Sequence, residues 1–177
     1  MRYVKILFKL TFDKDVRNCF FRFIKALKYR LRDRNYDKAI NELSAILENK
    51  ACDPMEFSVY EHLGITYFYK GNFNEAENAL RKALELNLKK QGHDSRLYQY
   101  LAYTYMKLGK FERALMFFEK AAFFGPGGYF NKHMTDLEHV NEMKKSLEQH
   151  KDKLPFMTAY FEQNKERFSK QDNSKSQ

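Results

Sequence analysis

The 177-residue sequence has few of the residues that interrupt helices: only three prolines, seven glycines and no tryptophan. Long stretches without helix breakers favour a helical fold. No run of 18 apolar residues occurs, so no segment is predicted to cross a bilayer. Lys5 and Lys9 interrupt the apolar residues of the N-terminus, which argues against a secretory signal. We therefore expect a soluble, all-α protein.

Cysteine is also scarce, since Cys19 and Cys52 are the only two. Two cysteines are too few for a disulfide framework, and neither belongs to a CxxC motif. We expect both to be reduced. This predicts a cytoplasmic protein, and peripheral contact with a membrane stays open as an alternative.

Positive charge is concentrated at one end of the chain. Residues 1–34 hold 11 Lys and Arg against three Asp, so they supply +8 of the net charge of +9. Three interpretations compete for the amphipathic segment 1–19: a capping helix with a solvated basic face, a contact with an anionic membrane surface, and nucleic-acid binding. The last is least favoured because no nucleic-acid motif accompanies the charge. The predicted basic N-terminal surface consists of Arg2, Lys5, Lys9, Arg22, Lys25 and Lys28.

An internal repeat is visible when residues 60–86 are aligned with residues 98–124. Seven positions match at an offset of 38: Tyr60/Tyr98, Leu63/Leu101, Tyr67/Tyr105, Gly71/Gly109, Phe73/Phe111, Ala76/Ala114 and Ala83/Ala121. The aromatic and Leu positions recur every three or four residues, which predicts a helix, and each Gly is placed to end that helix. Each unit is therefore predicted to be a helical hairpin, which needs neighbouring hairpins to bury its apolar face.

This pattern resembles the tetratricopeptide repeat, whose period is about 34 residues. The longer offset is assigned to the loop 91–94, with Asp94 capping the next helix. A weaker copy has Arg34 where the later units have Gly. The predicted units are 20–53 (degenerate), 57–90 and 95–128, followed by capping helices at 129–168 and a disordered tail at 169–177. The resemblance implies hairpins stacked in a right-handed superhelix with flanking helices.

The same resemblance implies that the first helix of each unit lines a concave groove that binds a peptide of a partner protein. On the second and third units the groove residues would be Glu61, Ile65, Phe68, Tyr69, Arg96, Gln99, Tyr103, Met106 and Lys107. On the first unit they would be Phe21, Ile24, Lys28, Leu31 and Arg32. Apolar residues with basic residues toward the ends suit a peptide with apolar anchors and some acidic character. The alternative is that Ile65, Phe68, Tyr69, Tyr103 and Met106 are simply buried under the chain's own terminal helices.

No pattern typical of catalysis or metal binding is present. His133 and His139 lie on different helical faces, and no phosphate-binding loop or nucleophile motif occurs. We predict no enzyme activity, no cofactor and no metal. The leading hypothesis is a protein-binding adaptor or assembly scaffold. A secretion-type chaperone for an apolar segment, a peripheral membrane organiser and self-association are the alternatives.

Overall fold

The computed structural model describes residues 13–125 and 137–164, and the side chains of Leu137 and Glu138 are not considered. All regular elements in these residues are helical, as predicted. The α-helices are α1 (Lys14–Leu31), α2 (Tyr36–Leu47), α3 (Glu56–Lys70), α4 (Phe73–Leu88), α5 (Ser95–Lys107), α6 (Phe111–Phe124), α7 (Leu137–Glu148) and α8 (Pro155–Gln163). Two 3₁₀ helices, Lys50–Met55 and Lys151–Lys153, precede α3 and α8.

The chain divides into two compact units at Lys90 and Gln91. The first unit contains the hairpins α1–α2 and α3–α4, with α2 packed on α3. Its core joins the first hairpin to the second through Cys19, Ala26, Leu43, Ile46, Cys52, Val59, Leu63 and Ala79. This core buries the side chains that recur at helical spacing, which accounts for the two hairpins folding as one body.

The second unit contains the hairpin α5–α6, with α7 and α8 packed on α6. Tyr103 on α5 packs against Phe118 on α6, with ring centroids 5.1 Å apart at an angle of 74°. The Glu119 carboxylate accepts hydrogen bonds from the Phe156 and Met157 amides at 3.0 and 2.9 Å. A side chain of α6 thereby satisfies the free amides that begin α8.

The predicted turns occur where expected. Gly71 and Gly109 end α3 and α5 with φ of +89° and +69°, a region that glycine enters without steric cost. After α3, the Asn72 amide donates to the Tyr67 carbonyl at 3.0 Å and closes the helix end. Arg34 takes the corresponding position in the first hairpin and also has a positive φ, of 49°. Its assignment to the glycine position of the repeat is thus supported by the backbone.

The starts of α1, α2 and α5 are capped by short polar side chains. Asp94 accepts hydrogen bonds from the Arg96 and Leu97 amides at 2.9 and 3.1 Å, as its predicted capping role requires. Asp13 caps α1 in the same way. The helix α1 begins at Lys14, which is six residues before residue 20, where the first repeat was predicted to start.

The cysteine prediction is wrong. Cys19 on α1 and Cys52 in the first 3₁₀ helix form a disulfide, with Cα atoms 5.9 Å apart. Their separation of 33 residues in sequence hides this proximity, which the packing of α1 against the 3₁₀ helix creates. The expected cytoplasmic, reducing location rested on reduced thiols and loses that support.

Candidate functional site

The predicted groove residues on α3 are largely buried. Glu61, Ile65 and Phe68 are 2%, 1% and 7% exposed, and Tyr69 is half-buried. The Phe68 ring lies 5.7 Å from the Phe73 ring at the start of α4. These side chains therefore contribute to the interior of the protein. Whether any of them also contacts a partner stays a prediction.

The corresponding residues on α5 follow the same trend. Gln99, Tyr103 and Met106 are buried, whereas Lys107 is half-buried and Arg96 is exposed. Ile65, Phe68, Tyr103 and Met106 are all buried, and that the chain's own terminal helices cover them stays a prediction.

The first helix presents its predicted groove residues to solvent. Phe21, Ile24 and Leu31 are 61%, 47% and 69% exposed. Lys28 and Arg32 are exposed beside them. We define the open α1 face as five exposed or half-buried apolar residues on one side of this helix with four basic residues beside them: Phe20, Phe21, Ile24, Leu27, Leu31, Lys14, Arg17, Lys28 and Arg32.

The buried side of α1 is attached to the protein by an interaction that the sequence did not reveal. Arg30 is 9% exposed, and its Nη2 lies 3.1 Å from Nδ1 of His62 on α3. A guanidinium only donates hydrogen bonds, so His62 Nδ1 is the acceptor and carries no proton. The His62 ring also packs edge-on against Phe23, with centroids 5.1 Å apart. These contacts fix the rotation of α1 and hence the residues that face solvent.

Two residues of the predicted basic surface are occupied within the first unit. Arg22 and Lys25 contact the Glu42 carboxylate at 2.8 and 2.6 Å. The hydrogen bond from Lys25 is the main reason that the pKa of Glu42 lies below its ordinary value. The same bond raises the pKa of Lys25. Arg22 and Lys25 therefore join α1 to α2, and they are less available to a ligand than Lys28.

The remaining predicted basic residues differ in what can be said of them. Lys28 is exposed, and no carboxylate within residues 13–125 and 137–164 lies at ion-pair distance from it. Arg2, Lys5 and Lys9 fall outside the described residues, as do most of segment 1–19 and the tail 169–177.

A second exposed apolar surface lies on the second unit. Met116 and Phe123 on α6 are 48% and 65% exposed, and Phe156 on α8 is 47% exposed. The rings of Phe123 and Phe156 are 6.3 Å apart. This surface provides a matched control for experiments on the open α1 face, because it has similar side chains on a different unit.

In the described part of the chain, no three His, Cys, Asp or Glu side chains are grouped as a metal would require. None of the described helices is both long and apolar enough to span a membrane.

Comparison with known proteins supports the repeat assignment. Residues 55–122 match the model of the tetratricopeptide repeat family. The fold is similar to a solved structure described as the first TPR of Spaghetti (RPAP3) bound to the HSP90 peptide SRMEEVD. That likeness has a TM-score of 0.56 and 21% identity, and it covers 75% of this chain and 95% of the other. No curated protein matches the chain.

The predicted resemblance is therefore confirmed for residues 55–122, which contain the α3–α4 and α5–α6 hairpins and match the tetratricopeptide repeat family. The first hairpin lies outside the matched residues. Its open face and disulfide are consequently features that the family match does not describe.

Proposed function

We propose that the protein is a non-catalytic interaction module that binds a peptide segment of a partner protein, and that the open α1 face makes the contact. The observation that carries this proposal is the exposure of Phe21, Ile24 and Leu31 on one face of a helix. Large apolar side chains are expensive to leave in water, and a contiguous exposed group of them is typical of interaction surfaces.

The chemistry of the face suits a peptide with apolar anchors and acidic residues. Phe21 and Leu31 supply apolar area, and a cluster of this kind provides the few contacts that dominate binding energy. Lys28 and Arg32 lie at its edge, where they can pair with carboxylates and orient the peptide.

The similar fold described as bound to SRMEEVD supports a peptide ligand of this general type, since that peptide contains two glutamates, an aspartate and apolar residues. Because the two chains are only 21% identical, the identity of the ligand does not transfer. An adaptor or assembly scaffold is the biological role that such a module would serve.

The proposal can be tested by selecting binders from a random peptide library displayed on phage, with the full chain as the target. We expect the enriched peptides to combine apolar and acidic residues. The double substitution Phe21→Ser and Leu31→Ser should weaken their binding at least about tenfold, because each is expected to act as an anchor.

The matched control is Met116→Ser with Phe123→Ser, which removes equally exposed apolar side chains from the second unit. It should leave binding unchanged. The proposal is wrong if no peptides are enriched, or if the control reduces binding as much as the α1 variant does. Circular dichroism of both variants checks that they keep the helical fold.

A further inference from the structure

We propose that the ligand of the open α1 face is an acidic amphipathic helix of a partner protein, lying along α1. This inference rests on the proposed function and names the conformation and charge of its ligand. Three observations support it: the spacing of the apolar residues, the sign of the charges beside them and the length of the helix.

The apolar residues of the face have the spacing of a helix–helix seam. Phe20, Ile24, Leu27 and Leu31 follow one another at intervals of four, three and four residues. This is the heptad spacing by which one helix packs along another. Leu27 is half-buried and the other three are exposed, so the seam lies at the surface and is accessible to a second helix.

The length of the seam also suits a helical ligand. Within the 18-residue helix α1, the seam from Phe20 to Leu31 is about 16 Å long at 1.5 Å per residue. An extended peptide would place alternate side chains on opposite sides and could use only part of this seam. A helix of about three turns would contact the seam along its whole length.

The charges beside the seam all have one sign. Lys14, Arg17, Lys28 and Arg32 are exposed, and no described carboxylate lies within ion-pair distance of any of them. The only acidic residue of α1, Asp15, is nine residues from Ile24, which places it on the opposite side of the helix. A ligand helix with carboxylates along one flank would therefore complement this face.

The same charges argue against two other occupants. A second copy of the chain would bring two basic helices together, and their like charges would repel. The N-terminal residues 1–12 contain three basic residues and no acidic residue, so docking them here would have the same defect. An acidic partner relieves the repulsion instead of adding to it.

The test measures binding of the full chain to three labelled 18-residue peptides by fluorescence anisotropy. Binding of the full chain to phosphatidylserine vesicles is measured separately. The first peptide has Leu at heptad spacing and Glu on one flank. The second replaces each Glu with Lys, and the third keeps the first composition but scrambles the Leu positions. We expect only the first to bind well, with binding weakened by salt, and the other two to bind at least about tenfold more weakly, because one has like charges and the other lacks the row of apolar anchors.

Charge reversal on the protein provides the second arm. Arg17→Glu with Lys28→Glu should reverse the preference, so that the Lys peptide binds better than the Glu peptide. The control, Lys90→Glu with Lys153→Glu, makes the same change in net charge at exposed residues that do not belong to the face and should leave the preference intact.

The outcomes separate this inference from the proposed function. Equal binding of the scrambled peptide rules out the helical seam, and binding to vesicles but to none of the peptides would identify a membrane surface instead. If library-selected peptides bind the α1 face while all three helical probes fail, the inference is wrong and the proposed function survives. If neither selected nor designed peptides bind, both are wrong.

Discussion

The two hairpins of the first unit have the same backbone plan but are stabilised differently. In the second hairpin, a Cβ added to Gly64 on α3 would lie 2.5 Å from Leu80 Cγ on α4, so the two helices are in direct contact. In the first hairpin, α1 is attached by the Cys19–Cys52 disulfide and by ion pairs to Glu42. Close packing stabilises one hairpin, and in the other a covalent bond and polar contacts add to the apolar packing.

The difference follows from where the large apolar side chains point. On α1 the buried residues include the small Cys19 and Ala26, whereas Phe21 and Leu31 are exposed. On α3, by contrast, Leu63, Ile65 and Phe68 are all buried. The first helix therefore has less apolar surface holding it to the protein and more available to a ligand. A crosslink on the buried side offsets that loss without covering the open face.

Removing the disulfide should produce the largest effect and would test this contrast directly. Reduction, or Cys19→Ala with Cys52→Ala, should lower the free energy of unfolding of the first unit by about 3 to 4 kcal/mol, because a closed loop of 33 residues is lost. Chemical denaturation with and without a reductant measures this. A thiol assay on the denatured protein should find no free cysteine before reduction. An unchanged midpoint after complete reduction would show that the disulfide does not contribute to holding α1.

Enlarging Gly64 tests the second hairpin. Gly64→Val should destabilise it by about 2 kcal/mol, because the new side chain would overlap Leu80 and force α3 and α4 apart. Thermal unfolding measures the change. Asn78→Val on the exposed surface of α4 is the control and should have little effect. If the two variants unfold alike, the close contact does not contribute to stability.

Exchanging the turn residues would make the first hairpin more like the second. Arg34 has a positive φ of 49°, which is unfavourable for a residue with a Cβ. Arg34→Gly should therefore stabilise the first unit by about 0.5 to 1 kcal/mol, the balance of relieved strain and added chain entropy. Gly71→Ala should act in the opposite direction through backbone strain alone, since nothing lies within 4 Å of the added Cβ. Equal responses of the two sites in denaturant melts would contradict this.

The ion pairs of the first hairpin should produce the smallest effect. Glu42→Gln should lower Tm by only about 1 to 2 °C, since Arg22 and Lys25 are half exposed. Because the pKa of Glu42 is lowered in the folded protein, its contribution is present above the ordinary value of 4.5 and is lost as pH falls below that value. The difference in Tm between wild type and variant should therefore shrink on acidification. A constant difference from pH 7 to pH 3 would exclude the linkage.

Much of the fold could be predicted from residues that act locally. The seven matched positions of the repeat indicated the α3–α4 and α5–α6 hairpins, and Gly71, Gly109 and Asp94 act at the helix ends as predicted. Such residues act through their own backbone or an adjacent one, so sequence spacing is sufficient to recognise them. Even the irregular Arg34 could be placed by its alignment with Gly71.

The candidate site was only partly predictable, because exposure depends on what packs against each helix. The same alignment placed Ile65 and Ile24 in one groove, but Ile65 is 1% exposed and Ile24 is 47% exposed. One signal was available in the sequence, namely the heptad spacing of Phe20, Ile24, Leu27 and Leu31. These residues form an apolar face of α1 that is separate from its buried residues.

The sequence by itself determined the helical hairpins, their turns and caps, and the excess of positive charge at one end, because these depend on neighbours within a few residues. Only the tertiary structure decided that Cys19 meets Cys52, that Arg30 reaches His62 and that α1 keeps one face in solvent. The two contacts join residues about 30 positions apart, and the exposed face depends on what packs against α1. No local pattern encodes this packing.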